Sequence, residues 1–129
     1  MSPKALLTLS VLPERYAVCR LDAEAPAPAW AQGDFVSITR TREELSVVCA
    51  EVHVPAGVTC EAGWRIFRCE GPLAFGLSGI VASIAEPLAN ASVSIFPIAT
   101  HETDYLLIPE TQLEIAIQAL TSYGHAVRV

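Results

Sequence analysis

The sequence predicts an α+β fold, and three observations support that class. Its 129 residues are 52% hydrophobic and 17% charged, which suits one compact domain or two small halves sharing a core. The first half mostly alternates apolar and polar residues with the two-residue period of strands. The second half reads β-α-β-β-α-β, which is the order of a ferredoxin-like unit. Its two helices would pack on one face of a four-stranded antiparallel sheet.

The first half is predicted to be rich in strands and short of helix. Four strands are expected, at 5–11, 16–21, 35–40 and 45–50. The Pro/Ala-rich connection after the second strand has room for at most one helical turn near Trp30. Beyond the fourth strand, Pro55, Gly57 and Gly63 are expected to break regular structure.

The second half is predicted to open with a strand at 64–70 and the glycine-containing loop "GPLAFGLSG". A helix should follow, because one apolar face recurs at helical spacing. That face comprises Ile80, Val81, Ile84, Ala85 and Leu88. Pro87 is expected to weaken the last turn of this helix, since proline lacks the N–H that the helix needs.

Two further strands are predicted at 93–98 and 105–108, followed by a second helix and a short final strand that includes Val127 and Val129. Thr111-x-x-Glu114 is a capping-box pattern that would start the helix, and Gly124 would stop it. The predicted apolar face of the helix comprises Leu113, Ile117 and Leu120.

Pro97 predicts that its strand lies at a sheet edge or contains a bulge, because proline cannot donate to a ladder. The segment "SVSIF" just before it is apolar. An apolar edge strand is prone to association unless something covers it. A self-complementary contact in a dimer would cover this edge.

Composition excludes several functions. A net charge of −6 with only eight Lys and Arg argues against nucleic-acid binding, which needs clustered basic residues. No run reaches the roughly 18 apolar residues of a membrane span. The four Cys and three His show no metal-ligand spacing, so neither a metal nor a cofactor is expected. The cysteines are interpreted as reduced, mostly buried thiols of a cytoplasmic protein; a Cys60–Cys69 disulfide is the alternative.

"GLSGI" places Ser78 between glycines ahead of the first helix, yet it does not predict a nucleophile. A nucleophile elbow needs G-x-S-x-G, and Ile80 stands at the last glycine position. Two interpretations stay open. Ser78 is an ordinary N-cap, or Ser78 and Gly79 expose helix N–H groups that bind a carboxylate. Without a nucleophile–base pair or a pair of carboxylates, no enzymatic activity is expected.

Asp104 stands out because aspartate is disfavoured at the start of an apolar strand. In one interpretation it is a turn residue that bonds nearby backbone N–H groups. In the other it is a carboxylate held at the end of the sheet to pair with an ammonium or guanidinium. His101 in the same turn has the same two interpretations: an exposed turn residue or part of a site.

Nearly the whole chain resembles small bacterial ACT-domain proteins related to the CASTOR-type arginine sensors. The segments that carry the resemblance are "YAVCRLD", "PAWA", "FVSITRTREELSVVC", "GWRIFRCEGPLAF", "GIVASIAEPLA", "SIFPIATHETDYLLIPE" and "ALTSYGHAV". The resemblance implies two tandem ferredoxin-like ACT units, a degenerate one at 1–62 and a clear one at 63–129. It further implies antiparallel sheets with helices on one face, and a regulatory, non-enzymatic protein that binds an amino acid.

The resemblance also implies a binding site between two modules. The helix-entry loop of the sensors corresponds to Ala74, Leu77 and Ile80, and their strand-turn corresponds to Thr100, His101, Thr103 and Asp104. The facing strand corresponds to Ser94 and Ile95. Because this chain is half as long as the sensors, a second copy would supply those two residues. A homodimer is therefore expected, with an unidentified protein as a further partner.

The chain departs from the sensors at positions that bear on the ligand. Leu77 stands where they have an acidic residue, and His101 and Thr103 stand where they have aromatic residues. These departures argue against arginine. The expected ligand is a smaller or more apolar amino acid, its ammonium on Asp104 and its carboxylate on the N–H groups around Ser78 and Gly79. The alternative is a dimerisation or scaffold module that has lost its ligand.

Overall fold

The computed structural model describes residues 6–70 and 79–129. These residues form eight strands: β1 (Thr8–Val11), β2 (Tyr16–Leu21), β3 (Ser37–Arg40), β4 (Leu45–Ala50), β5 (Thr59–Cys69), β6 (Phe96–Ala99), β7 (Asp104–Pro109) and β8 (Ala126–Arg128). They also form two α-helices, α1 (Ile80–Asn90) and α2 (Leu113–Tyr123), and 3₁₀ turns at Glu51–His53 and Glu110–Gln112. The predicted α+β class is confirmed.

The chain divides into two compact units. We call Pro13–Trp64 the strand unit, and the described residues of Met1–Leu12 and Arg65–Val129 the helical unit. The prediction placed the division at 62/63 and assigned β1 to the first unit. In the structure β1 belongs to the helical unit, because its hydrogen-bonding partners are β5 and β8.

The strand unit is an antiparallel sheet in the order β3-β4-β2-β5. Its only helical segment is the 3₁₀ turn Glu51–His53, as expected for a degenerate unit whose helices have shrunk to turns. The predicted bounds of β2 and β4 agree with the structure. The buried core of this unit comprises Ala17, Cys19, Leu45, Val47 and Cys49.

Gly63 does not break the chain as predicted but lies inside the long strand β5. The register with β2 shifts here: Tyr16 lies opposite Trp64, whereas Val18 lies opposite Glu61. One residue of β2 therefore faces two of β5, which is the arrangement of a β-bulge. Gly63 accommodates it with a φ of 81°, which residues with a side chain rarely adopt. Its N–H donates to the Glu51 carboxylate at 2.9 Å.

The helical unit has its strands in the order β8-β1-β5-β7-β6. The prediction of four antiparallel strands needs a correction. β1 enters between β5 and β8, pairing antiparallel with β5 and parallel with β8. The sheet of this unit therefore has five strands, one from the beginning of the chain. Both helices and the strands β1, β5, β7 and β8 contribute to one core, formed by residues such as Leu9, Phe67, Ile84 and Leu120.

Helix α1 differs from the prediction in its buried face. Pro87 lies inside the helix, which continues to Asn90. The buried residues are Ile80, Ser83, Ile84, Pro87 and Leu88, whereas Val81 is 49% exposed. The stripe that packs on the core is thus rotated away from Val81. This leaves an aliphatic side chain of the first turn outside the core.

The predicted strand at 93–98 begins only at Phe96. The backbone before it caps other elements: the Val93 N–H donates to Leu88 O at 2.9 Å, and the Ser94 N–H donates to the Gln112 side chain at 3.0 Å. Those N–H groups are unavailable to a ladder. Among the described strands β6 pairs only with β7, as Pro97 predicted for an edge strand.

The predicted capping box of α2 does not form. The chain enters this helix through a 3₁₀ turn, and the N-cap is Gln112, without a side-chain cap bond. The Gln112 amide instead holds the segment at 92–94. The predicted apolar face is confirmed, because Leu120 is buried and Leu113 and Ile117 pack against the core. Gly124 ends the helix with a φ of 121°.

His125, which the sequence did not single out, connects two elements of the helical unit. It is 3% exposed. Its Nδ1 accepts from the Leu7 N–H at 3.0 Å, and its Nε2 lies 2.8 Å from the Ser83 carbonyl oxygen. A neutral ring satisfies both contacts, with the proton on Nε2. The ring therefore joins the residue preceding β1 to α1.

Candidate functional site

A partly open cavity of about 250 Å³ lies in the helical unit, between α1 and the hairpin of β6 and β7. Among the described residues that line it, Asp104 is the only one with a charged side chain, and most of the others are apolar. The lining residues are Val81, Ile84, Pro97, Ala99, Asp104, Tyr105 and Leu106. A concave apolar site with few polar groups is the usual form of a small-molecule site.

Asp104 begins β7 opposite Ala99 and is half-buried. Among the described residues, none makes a hydrogen bond or ion pair with its carboxylate. Its charge is nevertheless felt by the buried thiol of Cys69. Burial raises the pKa of that thiol to about 12, with the nearby Asp104 carboxylate contributing further. The carboxylate thus faces an apolar cavity without a described protein partner.

The turn that precedes Asp104 is held by threonines. The Thr100 N–H donates to Thr103 O at 2.9 Å, and the Thr100 hydroxyl contacts the same oxygen at 3.1 Å. Thr103 is only 5% exposed, and its hydroxyl donates to Cys69 O at 2.7 Å. Asp104 is therefore not needed as the hydrogen-bonding residue of this turn. Thr103 anchors the hairpin to β5.

His101 is an exposed residue of this turn. Its side chain is 82% exposed and its Nδ1 lies 3.3 Å from the carboxylate of Glu102, itself 70% exposed. In the single chain, His101 does not belong to the cavity lining. The polar cluster of residues 100–104 thus divides into a threonine-held turn, an exposed pair and the carboxylate of the cavity.

The first turn of α1 borders the same cavity, since Val81 is part of the lining. The N-cap is Gly79, with a φ of 82° and no side-chain cap bond. The first backbone N–H at this end of the helix to find a backbone acceptor is that of Ser83, which donates to Gly79 O at 2.8 Å. The preceding N–H groups have no acceptor within the helix, which makes this end attractive to an anion.

The other predicted site residues lie elsewhere. Ala74, Leu77 and Ser78 lie outside the described residues. Ile80 is buried in the core. Ser94 is exposed and Ile95 packs on the edge of the core. Neither Ser94 nor Ile95 lines the cavity of its own chain.

Most of the apolar lining was not predicted. Ile84 and Leu106 look like ordinary core residues in the sequence, and no local pattern marks one side of them as facing a cavity. Val81 carried a usable signal, because it widens the apolar face of α1 beyond the stripe that the core covers. Pro97 carried another, since it places its strand at the open edge.

Neither a metal site nor a membrane-spanning helix is found among residues 6–70 and 79–129. No three His, Cys, Asp or Glu side chains of this part lie together in a way that could hold a metal ion. Both described helices are eleven residues long, too short to cross a bilayer.

A family model described as "ACT domain" matches residues 59–122, and a second model, of an N-terminal domain, matches 14–57. Protein Atu0741 from Agobacterium tumefaciens is 39% identical, over 98% of this chain and 93% of that one, with a TM-score of 0.89. The regulatory subunit of aspartate kinase from Thermus thermophilus shares the fold at 12% identity, over 93% of this chain and 99% of that one, with a TM-score of 0.61.

Among curated proteins, the human "Cytosolic arginine sensor for mTORC1 subunit 1" is 45% identical over 58 residues. That segment is 44% of this chain but only 18% of the sensor. The ACT match lies mainly in the helical unit, which carries both described helices. The part of the chain at 59–122 belongs to the ACT-domain family.

Proposed function

We propose that this protein is a non-enzymatic regulator that binds a small amino acid at an interface between ACT units of a homodimer. In this proposal the ligand alters association with a protein partner in the cytoplasm. The observation that carries the proposal is the Asp104 carboxylate, which lines an apolar cavity without a described protein partner. A half-buried charge of this kind is stabilised by a ligand cation.

Two groups beside the cavity suit the two charges of an amino acid. Asp104 would accept the α-ammonium, and the first turn of α1 would receive the carboxylate on its N–H groups and its positive dipole. Val81 places that turn at the same cavity. Gly79, the N-cap, provides no side-chain acceptor for these N–H groups.

The lining favours an aliphatic side chain over a guanidinium. Apart from Asp104, the lining side chains from both elements are apolar or aromatic, with Val81, Ile84 and Leu106 the aliphatic ones. A guanidinium would need a second carboxylate for charge pairing, and none of the described lining residues supplies one. An aliphatic amino acid would instead bury apolar surface there.

A second copy of the chain would complete the site. β6 is an edge strand that borders the cavity through Pro97 and Ala99. Ser94 and Ile95 precede it and do not reach the cavity of their own chain. In a dimer formed along this edge, the partner's copies of these segments would cover the cavity. Covering the edge would also remove the association hazard of an apolar strand.

The first test is a thermal-shift screen of the protein against the twenty amino acids. We expect an aliphatic amino acid to raise the melting temperature, because a ligand at about 100 times its Kd adds about 2.7 kcal/mol to the free energy of unfolding. Arginine should shift it less. If no amino acid changes the melting temperature, the sensor proposal fails and a ligand-free dimerisation module takes its place.

The second test is light scattering coupled to size exclusion. We expect a dimer, and we expect Ser94→Arg to convert it to a monomer, because an exposed small residue at the proposed interface becomes large and charged. Ser122→Arg, an equal change at an exposed position of α2, should remain dimeric. A monomeric wild-type protein that still binds its amino acid would contradict the shared site.

A further inference from the structure

Two cysteines of the strand unit lie directly opposite each other. Cys19 on β2 is the register partner of Cys60 on the antiparallel strand β5. Directly opposite residues of an antiparallel pair have Cα atoms about 4.5–5.5 Å apart, within the range of about 4.4–6.8 Å that a disulfide spans. The two side chains are close enough that Cys60 contributes to the raised pKa of the Cys19 thiol. The backbone spacing of the pair is therefore compatible with a disulfide between them.

The two thiols differ in access. Cys60 is exposed, whereas Cys19 is 1% exposed. An open groove of about 540 Å³ runs beside both residues, with Arg20, Glu44 and Thr59 among its lining. A small reagent in this groove reaches Cys60 first. Burial raises the pKa of the Cys19 thiol to about 12, with Cys60 and Cys49 contributing, so Cys19 is the weaker initial nucleophile.

We propose that Cys19 and Cys60 are a redox-active pair that forms a reversible intramolecular disulfide with low-molecular-weight disulfides such as glutathione disulfide. The Cys60 thiolate attacks one sulfur of the reagent, and one glutathione thiolate leaves and takes up the proton that Cys60 lost. The Cys19 thiol then loses its proton to the medium and displaces the second glutathione. The protein gives up two electrons and two protons, and one disulfide becomes two thiols.

The other two cysteines are poorly placed for this bond. Cys69 is buried and lies nine positions from Cys60 on the same strand, about 30 Å away at the rise of a strand. This geometry excludes the Cys60–Cys69 disulfide considered from the sequence. Cys49 is buried opposite Ala17 on the far side of β2, separated from β5 by that strand.

The test is to incubate the folded full chain with glutathione disulfide and to analyse it by intact mass and by peptide mapping without reduction. We expect a species lighter by two hydrogen atoms, with two of the four thiols lost and a peptide pair joining Cys19 to Cys60. Dithiothreitol should restore all four thiols. A mixed disulfide that stays on Cys60, or a Cys49–Cys60 link, would overturn the proposal.

Matched variants separate the pair from general thiol reactivity. Cys60→Ser changes an exposed side chain and should abolish the lighter species. Cys19→Ala should leave only the glutathione adduct on Cys60. Cys49→Ala should still form the link. If Cys60→Ser loses thiols as fast as the wild type does, the reactive thiol is elsewhere and the assignment is wrong.

Discussion

Asp104→Ala is expected to weaken binding of the amino acid that the screen identifies by roughly 10- to 100-fold, while the unliganded protein stays folded. A hydrogen bond to a charged group contributes about 1.5–3 kcal/mol, and every 1.4 kcal/mol changes Kd tenfold. Folding should survive because Thr100 and Thr103 hold the turn without the Asp104 side chain. Isothermal titration measures the Kd, and urea unfolding measures the stability.

Two further variants make the Asp104 result specific. Glu102→Ala removes one negative charge from the same turn, at a side chain that is 70% exposed and outside the cavity lining. Its Kd should match the wild type. Asp104→Asn keeps the shape of the side chain but not its charge, so it should bind nearly as weakly as Asp104→Ala. If Asp104→Ala unfolds instead, the residue is a structural turn residue, and the proposed ligand contact is wrong.

His125→Phe is expected to lower the free energy of unfolding by about 2–4 kcal/mol. The phenyl ring fills a similar space but leaves two groups without their partners, the partly buried Leu7 N–H and the buried Ser83 carbonyl. Each unsatisfied buried group costs about 1–3 kcal/mol. The measurement is urea unfolding followed by circular dichroism.

His53→Phe is the matched control for His125→Phe, because it makes the same chemical change at an exposed position. Surface changes of this kind are usually within about 0.5 kcal/mol of the wild type. Equal midpoints and slopes for the two variants would show that the His125 ring does not stabilise the join between the residue preceding β1 and α1.

Elements with a strong local pattern could be predicted from the sequence. β2 and β4 have their predicted bounds because their apolar runs are bounded by turn residues. The apolar face of α2 and its end at Gly124 follow from periodicity and from the left-handed conformation that glycine permits. Pro97 predicted an edge strand because a missing N–H is a property of the residue itself.

Several predictions failed because a residue distant in the sequence formed a hydrogen bond that the local pattern does not reveal. The capping box at Thr111 and Glu114 is a sound local pattern, yet the helix entry was shaped by Gln112 binding the segment at 92–94. The strand predicted from 93 lost its first residues because the Val93 N–H caps α1. Gly63 was read as a breaker because a bulge depends on the partner strand, which the glycine alone does not reveal.

For the candidate site, the sequence singled out Asp104, since a charge at the start of an apolar strand needs a reason. The sequence could not show that Asp104 and Thr103 have different roles, because both are polar residues of one turn. The structure separates them through Cys69, whose carbonyl accepts the Thr103 hydroxyl from 34 positions away. That bond leaves Thr103 as an anchor and Asp104 at the cavity.

By itself, the sequence determined the class of fold, the ACT resemblance, most elements and the residue whose charge needed an explanation. These depend on side-chain chemistry and on periodicity within a few positions. Only the tertiary structure decided that β1 enters the sheet beside β8, that Val81 lines a cavity while Ile80 is buried, and that Cys19 faces Cys60. Each of these depends on which distant segments pair, and no local pattern records that choice.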